Sequence, residues 1–373
     1  MTATVTTTRG AWRDGDPAGH RQFLDIGPLE LELGGSLPDV RIAYETWGTF
    51  TGDNAVLIQH ALSGDSHVVG PHGDGHPTPG WWADIVGPGG AIDTDRWFVV
   101  CTNVLGGCQG STGPSSMSPD GRPWGSRWPA TSIRDQVAAE VPLADALGVA
   151  RWACVIGGSM GGMRALEWAV AHPHRVERVV VLAAAAEASA DQVGLCRIQV
   201  DAVRADPHWY GGDYASRGVT PDTGLGIARR IAHLSYRTAH EVDKRFGRVV
   251  QDDGRFAVES YLDHAAEGLI ARFDAGSYVA LNLAMNSHEI GRGRGGTAAA
   301  LARVTARATV VGVDTDRLYP LRQQRDLAEA LGVEPDEVTS ERGHDGFLVE
   351  VDQVGAILAR ALGAGPTNGT VVA

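Results

Sequence analysis

The run Cys154-Val155-Ile156-Gly157-Gly158-Ser159-Met160-Gly161-Gly162-Met163 constrains the fold more than any other stretch of the chain. Its apolar, β-branched start reads as a buried strand. The apolar residues Met163, Leu166, Ala169 and Val170 that follow have helical spacing. Between the two lies Gly157-x-Ser159-x-Gly161, the pattern of a nucleophile elbow. A strand-to-helix turn this tight crowds its flanking Cα atoms, so residues without Cβ are required around it. Ser159 then stands at the sheet's edge above a helix N-terminus, with the Met160 N–H facing a developing oxyanion. A Walker-type phosphate loop does not fit, because Met163 stands where that motif needs lysine.

Around this turn the pattern alternates. Phe23 to Leu33 and Val40 to Trp47 alternate apolar and polar positions and predict an antiparallel pair. Ala55 to Gln59 is a continuous buried strand that runs into His60-Ala61-Leu62-Ser63-Gly64, where the Leu62 N–H is expected to supply a second oxyanion donor. Trp97 to Thr102 is a strand leading into the glycine-rich loop Asn103 to Pro114, read as a backbone-lined wall near the site. Ile133 to Leu147 is a helix, and Val179 to Ala184 another strand. Strands alternating with helices predict a mostly parallel sheet covered on both faces.

From Glu187 to Gly296 the alternation stops and helical patterns take over, at Gln192 to Ala205, Gly224 to Ala239, Ala257 to Arg272 and Ser277 to Met285. Helices inserted between two strands predict a lid over the strand ends, with the Gly-Arg stretch Gly291 to Gly296 as its return linker. The sheet resumes at Ala308 to Val313, followed by a helix at Gln323 to Leu331 and a short strand at Val338 to Glu341. The expected division is a loose tail over 1–20, core over 21–186, lid over 187–297, core again over 298–365, and a loose tail over 366–373.

Composition excludes several classes. Thirty-two basic against 45 acidic residues give a formal charge of −13, which argues against nonspecific nucleic-acid binding. Val179 to Ala186, the longest apolar run, is too short to cross a bilayer, and the N-terminus carries no apolar signal region, so a cytoplasmic location is expected. Cys101, Cys108, Cys154 and Cys196 show neither C-x-x-C nor zinc spacing. Cys108 is a weak alternative nucleophile, since nothing specifies its base. His67, His72 and His76 lie on an irregular loop without the spacing that would aim them at one point, so no metal is expected.

Ser159, an Asp after a late strand, and His344 after the last one stand in the α/β-hydrolase order of triad members. His344 must accept the serine proton, and a carboxylate must hold its tautomer. Asp314 and Asp316 both qualify by position. With Tyr44-Glu45-Thr46-Trp47-Gly48, His60 to Gly64, the Asn103 to Pro114 loop, Gly157 to Gly162, Asp316-Arg317-Leu318-Tyr319-Pro320 and Gly343-His344-Asp345-Gly346-Phe347, the chain resembles the homoserine O-acyltransferase family of the α/β-hydrolase superfamily. The segments span nearly its whole length. Ser63 stands where many relatives have Thr, and Gly346 where Ala is frequent, which touches pocket volume rather than mechanism.

The resemblance implies the α/β-hydrolase fold and a triad of Ser159, Asp316 and His344. It also implies acetyl transfer from acetyl-CoA, a cosubstrate rather than a bound cofactor, to L-homoserine, with a homodimer formed through the lid. It implies an acceptor site as well: Arg229 on the homoserine carboxylate, Tyr236 beside it, and Asp345 on the α-ammonium. Arg229 and Tyr236 are seven apart on one predicted helix and so share a face. A succinyl donor, serine as acceptor, and plain ester hydrolysis are the alternatives on the same fold.

Overall fold

The computed structural model describes residues 10–363. An eight-stranded sheet forms its centre. In chain order the strands are β1 (Gln22–Glu30), β2 (Ser36–Trp47), β3 (Ala55–Gln59), β4 (Phe98–Thr102), β5 (Cys154–Gly158), β6 (Arg178–Leu182), β7 (Arg307–Val313) and β8 (Asp336–Val338). Across the sheet they run β1-β2-β4-β3-β5-β6-β7-β8. The β1–β2 pair is antiparallel, as is β2 against β4, and every later pairing is parallel. β3, β5 and the inner part of β6 are buried throughout, which is why they read as unbroken apolar runs rather than alternating ones. The carboxyl ends of β3 to β8 therefore open on one edge, where ligands bind in open α/β sheets.

Helices α1 (Ile133–Ala146) and α2 (Met160–Ala171) pack on this sheet, and six helices follow between β6 and β7: α3 (Ala190–Arg204), α4 (Asp222–Tyr236), α5 (Ala239–Phe246), α6 (Ala257–Ile270), α7 (Ala275–Asn286) and α8 (Thr297–Leu301). The lid is stapled to the core at several points. Arg292 grips Glu32 with two bonds of 3.0 and 3.1 Å, Arg294 grips Glu167 on α2, and Gln192 donates to the Leu318 carbonyl at 2.7 Å. The arginines of the Gly-Arg stretch anchor it to the body.

Several boundaries differ from the sequence reading. Residues 10–20 are not loose: the Trp12 N–H donates to the Cys108 carbonyl at 2.9 Å, and Gln109 Nε2 donates to the Gly10 carbonyl at 3.1 Å. Residues 1–9 and 364–373, which hold the rest of both expected tails, lie outside the described residues. α4 stops at Tyr236 because Thr238 caps a new helix, its Oγ1 accepting the Glu241 N–H at 3.0 Å. After α9 (Leu321–Leu331) and the single turn α10 (Gly346–Val349), an unforeseen helix α11 (Val351–Ala361) is the last element among the described residues. Its Val354, Ile357 and Leu358 complete an apolar face against Val180 and Val338.

Beneath the serine turn sits a buried polar knot. The Glu140 carboxylate pairs with the fully buried Arg164 and accepts from Gln59 Nε2 (2.7 Å), Thr102 Oγ1 (2.6 Å) and Trp168 Nε1 (2.7 Å). It ties β3, β4, α1 and α2 together at one atom group. Removing one partner of such a pair strands the other charge in the interior. Glu140→Ala is therefore expected to cost about 3–5 kcal/mol of stability, read as a lower urea midpoint at unchanged slope; a loss below 1 kcal/mol would discount the knot.

Candidate active site

The turn after β5 forces Ser159 to φ 57° and ψ −124°, a region non-glycine residues avoid at a cost of about 1–3 kcal/mol. Its glycines are needed for close approach: a Cβ on Gly161 would strike the Gln59 carbonyl, and one on Gly157 would strike the Gly161 carbonyl. The Ser159 N–H is held by the Leu182 carbonyl at 2.9 Å, and its own carbonyl accepts from Gly162 and Met163 as α2 begins. The Met160 and Leu62 N–H groups have no hydrogen-bond partner among the described residues.

His344 lies on the turn after β8, its Nδ1 2.6 Å from Asp316 Oδ2. The other oxygen of Asp316 accepts the Leu318 and Tyr319 N–H groups at 2.8 and 2.9 Å, which locks the carboxylate. Asp314, its rival by position, is exposed and accepts the Ser340 N–H instead. Burial pulls the His344 pKa down, and the Asp316 and Asp345 carboxylates together more than offset this, so it ends above the ordinary value. Phe347 packs edge-on to His344 with centroids 5.4 Å apart, and a Cβ on Gly158 would lie 2.6 Å from its Cδ2. Phe347 thus fills the space between the imidazole and the residue preceding Ser159, at one end of the sheet.

Tyr236 approaches this imidazole from the lid, its ring centred 5.7 Å away. The Arg229 guanidinium carbon lies 5.8 Å from the Tyr236 ring centre, and its Nε is buried without a hydrogen-bond partner among the described residues. Asp345 is raised by burial and pulled back by Arg237, His344 and Arg229. Its ion-pair partner is Arg237, with Nε 3.4 Å from Oδ2. Sequence reasoning missed Arg237 because it assumed α4 continued through that position. It also missed Arg272, whose Nη1 donates to the Ser63 carbonyl at 2.6 Å and so joins the lid to the loop carrying Leu62.

Other candidates are resolved by their surroundings. Burial pushes the Cys108 thiol up, and its sulfur accepts the Asp274 N–H, so it is no nucleophile. The histidine loop does converge, against the spacing argument: His67 and His76 stack 3.7 Å apart beside Glu45, while His72 stays exposed. His67 faces two acceptors, Glu45 Oε2 at 2.9 Å and the Pro71 carbonyl at 3.3 Å, and His76 Nε2 accepts the His20 N–H at 2.9 Å. The stack ties the N-terminal segment to this loop through the His20 N–H.

A parallel sheet with an interrupting helical lid and a strained serine turn defines an α/β-hydrolase-fold enzyme, and the sequence model of the alpha/beta hydrolase fold matches residues 54–351. A homoserine O-acetyltransferase of Thermobifida fusca is 60% identical over 365 residues, 95% of this chain and 96% of that protein. One of Mycobacterium tuberculosis is 52% identical over 363 residues, covering 94% and 95%. Among solved structures, the homoserine O-acetyltransferase of Bacillus anthracis superposes with a TM-score of 0.85 at 27% identity, covering 92% of this chain and 97% of that one. Esterase E22 superposes at 0.84 with 25% identity, covering 92% and 99%. The chain belongs to the homoserine O-acetyltransferase family, and so to the acyltransferases.

Proposed function

We propose that this chain moves the acetyl group of acetyl-CoA to the hydroxyl of L-homoserine in two steps, through acetyl-Ser159. The observation that carries the reading is the Asp316–His344 pair lying at the same sheet edge as the strained serine turn, in a chain of this family. Ser159 Oγ attacks the thioester carbonyl while His344 takes its proton. The oxyanion is received by the Leu62 and Met160 N–H groups. Collapse breaks the carbon–sulfur bond, and His344 returns the proton to the departing CoA thiolate. The homoserine hydroxyl then gives its proton to His344, attacks the acetyl carbon, and releases the ester as Ser159 is reprotonated. No tightly bound cofactor takes part in this scheme.

In the second step Arg229 binds the homoserine carboxylate, Tyr236 lines its flank, and Asp345 exchanges Arg237 for the α-ammonium. Arg229→Ala is expected to weaken use of homoserine by roughly 2–5 kcal/mol, as for truncating one partner of a buried charge pair, and to spare acetylation by acetyl-CoA. Rapid-quench measurement of each half-reaction decides; equal loss in both removes Arg229 from the acceptor site.

The reading as a whole is tested by mass spectrometry of protein mixed with acetyl-CoA, then with homoserine. An acetyl adduct on Ser159 that homoserine discharges supports it. The superposition on esterase E22 favours one competing reading, ester hydrolysis. An adduct cleared by water at the same rate with or without homoserine would establish that reading instead. A cytoplasmic homodimer joined through the lid goes with the proposal: α3 and α4 expose Val193, Ile198, Ile227 and Leu234, and among the described residues no helix is long and apolar enough to cross a membrane.

A further inference from the structure

The peptide joining Ala61 to Leu62 carries the oxyanion N–H, and its opposite end is gripped by His60. The Nδ1 of His60 lies 2.7 Å from the Ala61 carbonyl oxygen, and its Nε2 lies 3.1 Å from the Val104 amide nitrogen. A carbonyl can only accept and an amide N–H can only donate, so the ring is neutral with its proton on Nδ1. Burial agrees: the residue is 2% exposed, and desolvation with the nearby Arg164 charge lowers its pKa to about 3. With its remaining lone pair occupied by Val104, His60 has nothing to offer as a base.

The same carbonyl oxygen takes a second bond from the Gly64 N–H at 2.9 Å. The peptide is trans and planar, so fixing its oxygen on one side aims its N–H the opposite way. Donors on the oxygen also polarise the amide and make that N–H a stronger donor. We propose that His60 is a positioning residue for acyl transfer, donating from Nδ1 to the Ala61 carbonyl so that the Leu62 N–H is aimed and strengthened for the oxyanion. This rests on the reading of Leu62 as an oxyanion donor and adds the residue that prepares it. Val104 opens the glycine-rich loop after β4, so the histidine also fixes that loop to the oxyanion turn.

Two substitutions separate the ring nitrogens. His60→Asn puts an amide nitrogen where Nδ1 stood, and His60→Gln puts its amide where Nε2 stood. His60→Gln is expected to lower kcat about tenfold to a hundredfold in both half-reactions, with KM nearly unchanged, below the full loss of an oxyanion donor. His60→Asn should recover most of that loss. A trifluoromethyl ketone, which forms a tetrahedral oxyanion on Ser159, should bind His60→Gln more weakly by the same factor, while active-site titration counts the same fraction of competent sites. Equal losses in the two variants, or a loss that follows the count of competent sites, would overturn the proposal. Failure of the unaltered enzyme to form acetyl-Ser159 would instead overturn the reading beneath it.

Discussion

Ser159→Ala is expected to reduce kcat by a factor on the order of 10⁶, as happens when the nucleophile of a triad acting as a unit is removed. The residual rate comes from the oxyanion donors and from substrate binding, which the change leaves in place. Stability should not fall with activity. Alanine and serine are both L-residues with a Cβ, so each bears the same strain at φ 57°, and Ser159 Oγ makes no hydrogen bond to lose among the described residues. Steady-state turnover measured beside a thermal melt checks both halves. A variant that keeps a tenth of the activity would remove the acyl-enzyme from the scheme altogether.

Asp316→Asn should lower kcat by about 10⁴, and the geometry says why. One carboxylate oxygen is committed to the Leu318 and Tyr319 N–H groups, so an asparagine there must place its carbonyl oxygen on that side. Its amide NH₂ then faces His344 Nδ1 and donates to it, which drives the imidazole proton onto Nε2. A ring protonated on Nε2 cannot accept the serine proton. Asp314→Asn is the control, because a carbonyl oxygen can take over the single Ser340 N–H bond on an exposed turn. Similar turnover in the two variants would mean that Asp316 does not set the tautomer.

The parts of this molecule legible in the sequence are those whose signal is local. The serine turn is announced by glycines at 157 and 161, where a Cβ would strike backbone, and at 158 and 162, where it would strike the Phe347 and Ala184 side chains, and the inner strands by apolar runs buried on both faces. The lid helices follow from periodicity, except where Thr238 restarts the chain as α5. What could not be read depends on distant partners. Spacing cannot rank Asp314 against Asp316 two residues apart; only the inward turn after β7 does. The Arg237–Asp345 pair, the Arg272 bond to Ser63 (209 residues apart) and the His60 bond to Val104 (44 apart) likewise become visible only once distant loops meet. The convergence of His67 and His76 on Glu45 is of the same kind.

The staples of the cap bear on how molecules reach the serine. Arg292, Arg294 and Arg272 grip the body at separated points, and Lys244 and Thr238 add Glu341 as a further mooring. A rigid-body swing would have to break these bonds, all but the Thr238 one charge-assisted, together. These moorings predict that the roof moves little through the catalytic cycle and that reactants thread beneath it. Discrimination against solvent then becomes a matter of standing architecture, set when the chain folds rather than renewed by a hinge at every turnover.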